Sequence, residues 1–305
     1  MSKKVVSYLG VIPPKNTNQE KPQILTNFCI GVNLNSNDRG ILHEGFDLID
    51  CDLAVIQGFV HEQGKVLPHL ILRKQILEKQ AHNKKNTLIA DSNLFLYSNT
   101  VNPQHYLRYS LNGIFPTTGF YFDKNIIPER WTKISKNLNL DLKPWRKSGN
   151  HILICAQRNG GWSMQGYNVI DWIKNTINEI RKHSDRPIIV RGHPGDKKTS
   201  FQGLQKFVKI STQTNLIDDL RNSWATITYN SSPGVASAIE GIPVFVLDKN
   251  FLNSQASDVA NKDLQFIEAP KMPERQTWIE KISMSHWNFE ELKSGEAWAY
   301  IREYV

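Results

Sequence analysis

No stretch of the chain approaches the roughly 20 consecutive apolar residues that a bilayer-spanning helix needs. The opening "MSKKVVSYLG" carries charge without the sustained apolar segment of a secretory leader, so a signal peptide is not expected. Cysteine is scarce: Cys29, Cys51 and Cys155 are far apart, odd in number and never paired as CxxC. That excludes a disulfide framework and fits a reducing compartment, the cytoplasm. The glycine signatures of phosphate loops are missing, since neither GxGxxG nor GxxxxGK[ST] occurs. No GxSxG elbow is present and no cysteine has a histidine nearby, which leaves nucleophilic hydrolysis without support. His61, His69 and His82 form neither HxH nor HExxH, so no metal site is expected. Acidic residues are in deficit, 29 Asp and Glu against 37 Lys and Arg, for a net charge of +8. Such a balance favours an anionic partner but does not choose among nucleic acid, acidic lipid and a phosphorylated small molecule.

What is present is a folded-protein composition, 40% apolar and 22% charged, in 305 residues, enough for two domains of about 150 each. Short apolar runs alternate with helical patterns, which points to parallel sheets covered on both faces. In the first half, "KVVSYLG", "LAVIQGF" and "NTLIAD" read as strands, with a helix over 68–82 between the last two. Residues 92–146 are irregular and rich in Asn, Pro and aromatics. From "HILICAQ" onward regularity returns. A helix at "YNVIDWIKNTINEIRKH" follows, with Ile170, Ile173, Ile177 and Ile180 at helical spacing. Strands are then expected at "PIIVRGHP", "VKIST", "ATITYN" and "PVFVLD", with short helices at "SFQGLQKF", "NLIDDLRNS" and "PGVASAIE". The composition break at "LDLKPWRKSGN" sets the expected boundaries. They are residues 1–146 for an α/β domain with large loops, 147–272 for a Rossmann-like domain, and 273–305 for helices carrying Trp278, Trp287 and Trp298 that pack back on the first domain.

Ligands of open parallel sheets bind beyond the carboxyl ends of the strands. His193 in "RPIIVRGHPGD" stands at such an end, where Pro194 stops the ladder and holds the imidazole at the rim. It can donate to a phosphate or act as an acid near neutral pH; a local cap to a carbonyl is the bland alternative. Arg191 shares its face if the strand persists. In "TYNSSPGVASAIEGIP" a strand runs into Asn230, Ser231 and Ser232, with Pro233 placed for a first helical turn, so hydroxyls and unpaired N–H groups converge as an anion site. Ordinary capping by Ser232 would explain one serine only. Glu240 can face a ribose or sugar hydroxyl, or solvent. "CAQRNGGWSMQG" adds Gln157, Arg158 and Ser163 at the same edge. Asp91, closing "TLIAD", can accept a proton from an acceptor hydroxyl or merely hold an Asx-turn.

"RGHP" and "NSSPGVASAIEGIPVF" resemble the HP and SS motifs of glycosyltransferases built from two facing Rossmann-like α/β domains (GT-B type), in particular the capsular-polysaccharide and sialyl- or Kdo-transferase-like group. "RYSLNGIFP", "PWRKSGNHILICAQRNGGWSM" and "GEAWAYIREYV" further resemble tailed-phage glycosyltransferases. The resemblance implies that His193, Ser231 and Ser232 hold the phosphate of a UDP- or CMP-sugar, and that an acidic residue of the first domain is the base. Asp91 in "IADSN" is the match, with Ser92 and Asn93 where the family pattern has glycine. It further implies inverting transfer without a metal, the nucleotide sugar being donor and no cofactor being required. The phage likeness and the +8 charge make a hydroxylated pyrimidine in DNA the expected acceptor, flipped into the site. Arg73, Lys74, Arg108, Arg130, Arg146 and Lys147, with Lys143, are the candidate DNA contacts. A glycan acceptor, a nucleotide-sugar epimerase and a non-catalytic nucleotide- or nucleic-acid-binding protein are the competing readings.

Overall fold

The structure, a computed structural model, describes residues 1–13, 20–34, 37–59, 67–95, 97, 102 and 104–305, apart from the Trp162 side chain. His61 lies outside them. The chain divides into two compact units, one of Met1–Asn93, Asn102–Trp131 and Lys281–Val305, the other of Leu94–Val101 and Thr132–Glu280. Among the described residues no helix is long and apolar enough to cross a membrane.

The first unit opens with strand β1 (Lys4–Tyr8), helix α1 (Glu20–Asn33), the edge strand β2 (Arg39–His43) and β3 (Leu53–Gln57). Helix α2 (Pro68–His82), β4 (Asn86–Asp91), β5 (Leu107–Leu111) and the first turn of α3 (Pro128–Leu138) follow. Four strands are parallel in the order β4-β3-β1-β2, and β5 joins β4 antiparallel. Val5, Val6, Val55 and Ile56 are fully buried, which is why these runs read as continuous rather than alternating. Helix α2 occupies the residues its periodicity predicts, starting on Pro68 in the first turn. Helices α1 and α3 and strands β2 and β5 are additional. The polar run of α1 hides an inner face of Ile24, Leu25, Phe28 and Val32, and β5 buries Arg108 and Ser110 among its apolar residues, which erases any alternation.

Residues 281–305 belong to this unit, whereas 273–280, with Trp278, fall in the other. Trp287 nevertheless sits on a strand, not a helix: β11 (His286–Trp287) pairs antiparallel with β5. Helices α8 (Phe289–Lys293) and α9 (Glu296–Ile301) then reach α1. Gly31 permits this approach, since a Cβ there would stand 2.0 Å from the Leu292 carbonyl oxygen. Asp38 clasps the termini, accepting from the Lys3 amide at 2.8 Å, the Trp298 indole at 2.9 Å and the Arg302 Nε at 2.6 Å.

In the second unit β6 (His151–Cys155), α4 (Val169–Ile180), β7 (Ile188–Arg191), β8 (Lys209–Ile210), α5 (Leu216–Leu220), β9 (Ser223–Thr228), α6 (Pro233–Ile239) and β10 (Val244–Val246) form a five-stranded parallel sheet with its helices. Most of α7 (Gln276–Ser283) follows. The strand order is β10-β9-β6-β7-β8. The chain thus builds outward from β6 on one side and returns to β9 on the other, which places the topological switch point between β6 and β9. Residues 202–204 make a single 3-10 turn where a short helix was expected. The stretch 141–146 runs against the end of α6, with the Lys143 amide on the Ile239 carbonyl at 2.9 Å and the Arg146 amide on that of Gly241 at 2.7 Å.

Candidate active site

The loops after β6, β7 and β9 all leave the carboxyl edge of the second sheet, on either side of its switch point. Two polar bridges bind them together. The Gln157 Oε1 accepts from the Asn230 amide at 3.0 Å while its Nε2 donates to Ser163 Oγ at 2.8 Å. Asp196 accepts from the Asn159 amide at 2.8 Å and from the Thr199 hydroxyl at 2.7 Å. The Asn159 amide, above all, holds the Asp196 carboxyl down at about 2.

Between the loops lies a pocket of about 310 Å³ whose wall includes His193, Ser231, Ser232, Arg191, Leu216 and Tyr97. That is the low end of the range for small-molecule sites. The imidazole of His193 and the serine pair, distant in sequence, therefore meet at one cavity. His193 Nδ1 accepts the Gly195 amide at 3.0 Å. A ring nitrogen that accepts carries no proton, so in the neutral ring the N–H is on Nε2. Burial and then the Arg158 charge push the imidazole below its ordinary value. Protonation would also turn Nδ1 into a donor facing a donor. Arg158 can lie this close because residue 195 is glycine: a Cβ there would meet the guanidinium at 2.5 Å.

Ser232 stands at the N-cap of α6 yet its side chain makes no capping bond, so routine capping does not account for it. The Ser231 hydroxyl is buried and has no hydrogen-bond partner among the described residues, although buried hydroxyls are nearly always paired. Both observations leave hydroxyls for a ligand. Helix α6 packs close to the sheet through Gly234, where a Cβ would already touch Ala256, Thr228 and Val244.

Other expected contacts fall elsewhere. The Asn230 side chain donates to Asp248 at 2.6 Å and to the Ser163 carbonyl at 3.3 Å, so it fixes the loop that presents the serines. Arg191 borders the pocket, but its guanidinium pairs with Asp219 at 2.6 Å and donates to the Thr214 carbonyl at 2.8 Å; it secures the pocket wall. Glu240 is buried at the far end of α6 and accepts from the Tyr97 hydroxyl at 3.0 Å and Lys143 Nζ at 2.5 Å, which corrects its assignment to a sugar hydroxyl. Asp91 lies in the first unit, opposite Arg108 on the neighbouring strand and ion-paired with it. Its carboxylate is partly exposed whereas the arginine is buried.

Three of the expected DNA contacts are corrected by burial. Arg73 donates to the Val11 carbonyl at 2.8 Å beneath Gly58, Arg108 holds Asp91, and Arg130 is paired with Glu291 at 3.1 Å. Arg146 is turned onto the carbonyls of Leu220 and Arg221. Lys74 pairs with Glu78 at 3.7 Å on an exposed surface, and Lys147 is exposed. Tyr97, Asp196, Asp219 and Asp248 are site residues beyond those expected. "GHPGD" did contain Asp196, whose turn chemistry is readable from an acid following Pro-Gly. Among the described residues no group of three or more His, Cys, Asp or Glu is arranged to hold a metal ion.

Two α/β units, the second a doubly wound parallel sheet with a pocket at its switch point, define a two-domain Rossmann-like fold of the GT-B type. Among solved structures the chain is similar to the beta Kdo 2,4 transferase of Thermosulfurimonas dismutans KpsC, with a TM-score of 0.55 and 16% identity over 92% of this chain and 89% of that one. It is similar also to the beta Kdo 2,7 transferase of the same organism's KpsC, with a TM-score of 0.51 and 13% identity over 99% of this chain and 100% of that one. No protein-family model matches the chain, and no curated protein matches it.

Proposed function

We propose that the protein is a glycosyltransferase that moves a sugar from a nucleotide sugar to a hydroxyl of a glycan. One observation carries this reading: His193 and the two serines line a single pocket at the switch point, and the Ser231 hydroxyl there is buried without a partner among the described residues. A phosphate oxygen accepts from both hydroxyls and from the Nε2–H of His193, so the group that departs with the nucleotide is stabilised as its charge develops. These neutral donors, with Arg158 nearby, supply that stabilisation in the proposal, and transfer accordingly persists in EDTA. Asp91 takes the proton of the acceptor hydroxyl, its carboxylate oriented by Arg108, and attack opposite the phosphate inverts the anomeric carbon. A glycan is favoured over DNA as acceptor because Arg73, Arg108 and Arg130 are buried and engaged, which removes three of the seven expected phosphate contacts. The two similar structures are Kdo transferases, which supports sugar transfer as the reaction class.

The test is a panel of labelled UDP- and CMP-sugars offered with glycan acceptors and, separately, hydroxymethylated DNA, each with and without EDTA. Label on glycan in both conditions is the expected result. Label on DNA alone would reverse the acceptor assignment, and interconversion of the donor sugar without any acceptor would make the protein an epimerase. Asp91→Asn is expected to lower turnover at least about tenfold with the donor dissociation constant unchanged. Equal loss of donor binding and turnover would remove Asp91 as base.

A further inference from the structure

The Tyr97 side chain joins two places that the sequence keeps far apart. Tyr97 is part of the pocket wall together with Ser231, Ser232 and Pro233, where α6 begins. Its hydroxyl donates to Glu240 at 3.0 Å, where α6 ends. Seven residues of helix span about 10 Å, and Tyr97 connects the two ends through its place in the wall and its bond to Glu240. The anchor is itself held, for the second Glu240 oxygen accepts from Lys143 Nζ at 2.5 Å, and the Lys143 amide is bonded to the Ile239 carbonyl at 2.9 Å. Glu240 and Tyr97 are both less than a tenth exposed, so this is a built contact rather than a surface one. Burial, and then the Glu240 carboxylate, push the tyrosine hydroxyl upward, so it stays protonated and keeps donating.

A buried aromatic whose hydroxyl is tied down behind it offers the pocket a fixed apolar face. The polar donors of the wall, His193 and the serines, suit a phosphate, whereas the ring suits the C–H face of a pyranose attached to that phosphate. Resting on the donor pocket proposed above, we infer that Tyr97 is a specificity-determining residue that packs against the donor's sugar, with Glu240 and Lys143 as its positioning residues. Glu240 thereby governs sugar selection without touching the sugar.

The experiment measures, by calorimetry on the full chain, the dissociation constants of the best-bound nucleotide sugar of the panel and of its free nucleotide. The variants are Tyr97→Phe, Tyr97→Leu, Tyr97→Ala and Glu240→Ala. Tyr97→Leu and Tyr97→Ala are expected to weaken the nucleotide sugar about tenfold or more, as truncated aromatic anchors do, and to leave the free nucleotide within about twofold. Tyr97→Phe keeps the ring and loses less, and Glu240→Ala shifts the same ratio in the same direction. A merely structural role would weaken both ligands together, and that result, or no change in either, overturns the inference while the pocket reading stands. If Tyr97→Ala fails to fold, the Phe and Leu variants carry the comparison. Wild-type protein that binds neither ligand overturns the pocket reading and this inference together.

Discussion

His193→Ala is expected to lower the proposed sugar transfer about a hundredfold or more, within the range for a lost catalytic proton or oxyanion donor, and to leave the melting temperature almost unchanged. The two halves of that expectation come from one location. The imidazole stands at the rim of the sheet against the 310 Å³ pocket, outside the hydrophobic core of the second unit. Loss of a rim side chain rarely costs more than about 0.5 kcal/mol of stability. What it does remove is the Nε2–H, fixed as the donor because Nδ1 accepts the Gly195 amide. His193→Gln returns an amide donor at nearly the same reach and recovers part of the turnover. Steady-state rates beside a thermal melt measure both halves, and a variant that unfolds would show that the histidine is structural.

The same geometry sets a pH signature. Burial, followed by the Arg158 charge, favours neutral imidazole, so His193 titrates below its ordinary value near 6.5. Arg158→Ala removes one of the causes that lower it, and the titration then moves upward. Following the imidazole by NMR would reveal this, and a wild-type midpoint at or above 6.5 would contradict the arrangement of His193 and Arg158.

The parts of the site legible in the sequence are those fixed by local chain chemistry. Pro194 keeps a strand from running past His193, and Pro233 suits the first turn of a helix after Ser232, so both motifs could be placed near a sheet edge without any tertiary knowledge, although β7 already ends at Arg191. Long-range partners were not legible. Asp248 stands on the neighbouring strand end and holds Asn230 from there, a pairing that depends on β9 and β10 being adjacent. Glu240 looked available for a sugar hydroxyl because nothing local uses its carboxylate. Its partners, Tyr97 and Lys143, are 143 and 97 residues away. Charge counting failed similarly for Arg73, Arg108 and Arg130. A guanidinium with five donors can satisfy buried carbonyls and carboxylates as readily as phosphates, and net charge does not say which.

Arg130 is the clearest case, and its removal has the largest expected effect on stability. Arg130→Met is expected to cost about 3–5 kcal/mol, the usual result of breaking a buried ion pair from one side. The guanidinium is 5% exposed and grips both oxygens of Glu291, itself 2% exposed, at 3.2 and 3.1 Å. It also lies 3.6 Å above the Trp287 ring and donates to the His286 carbonyl, so one side chain secures β11 and the start of α8. Glu291 answers by closing the capping box of α8, with reciprocal bonds to Asn288 of 2.9 Å. Because most of the cost comes from leaving a buried carboxylate without its cation, the double variant Arg130→Met, Glu291→Gln should regain a large part of it in a denaturation cycle. A double variant as unstable as the sum of the two singles would refute that account. The neighbouring His286 imidazole is pushed down to about 3 by burial, and also by the charges of Arg108 and Arg130, so it is neutral in the fold but takes a proton in the unfolded chain near 6.5. Its contribution is therefore present above about 6.5 and is lost as pH falls toward about 3. Removing the Arg130 charge raises the His286 value and narrows that window from below, so the acid loss of stability should be shallower in Arg130→Met than in the wild type, even though the variant starts from a lower melting temperature at neutral pH.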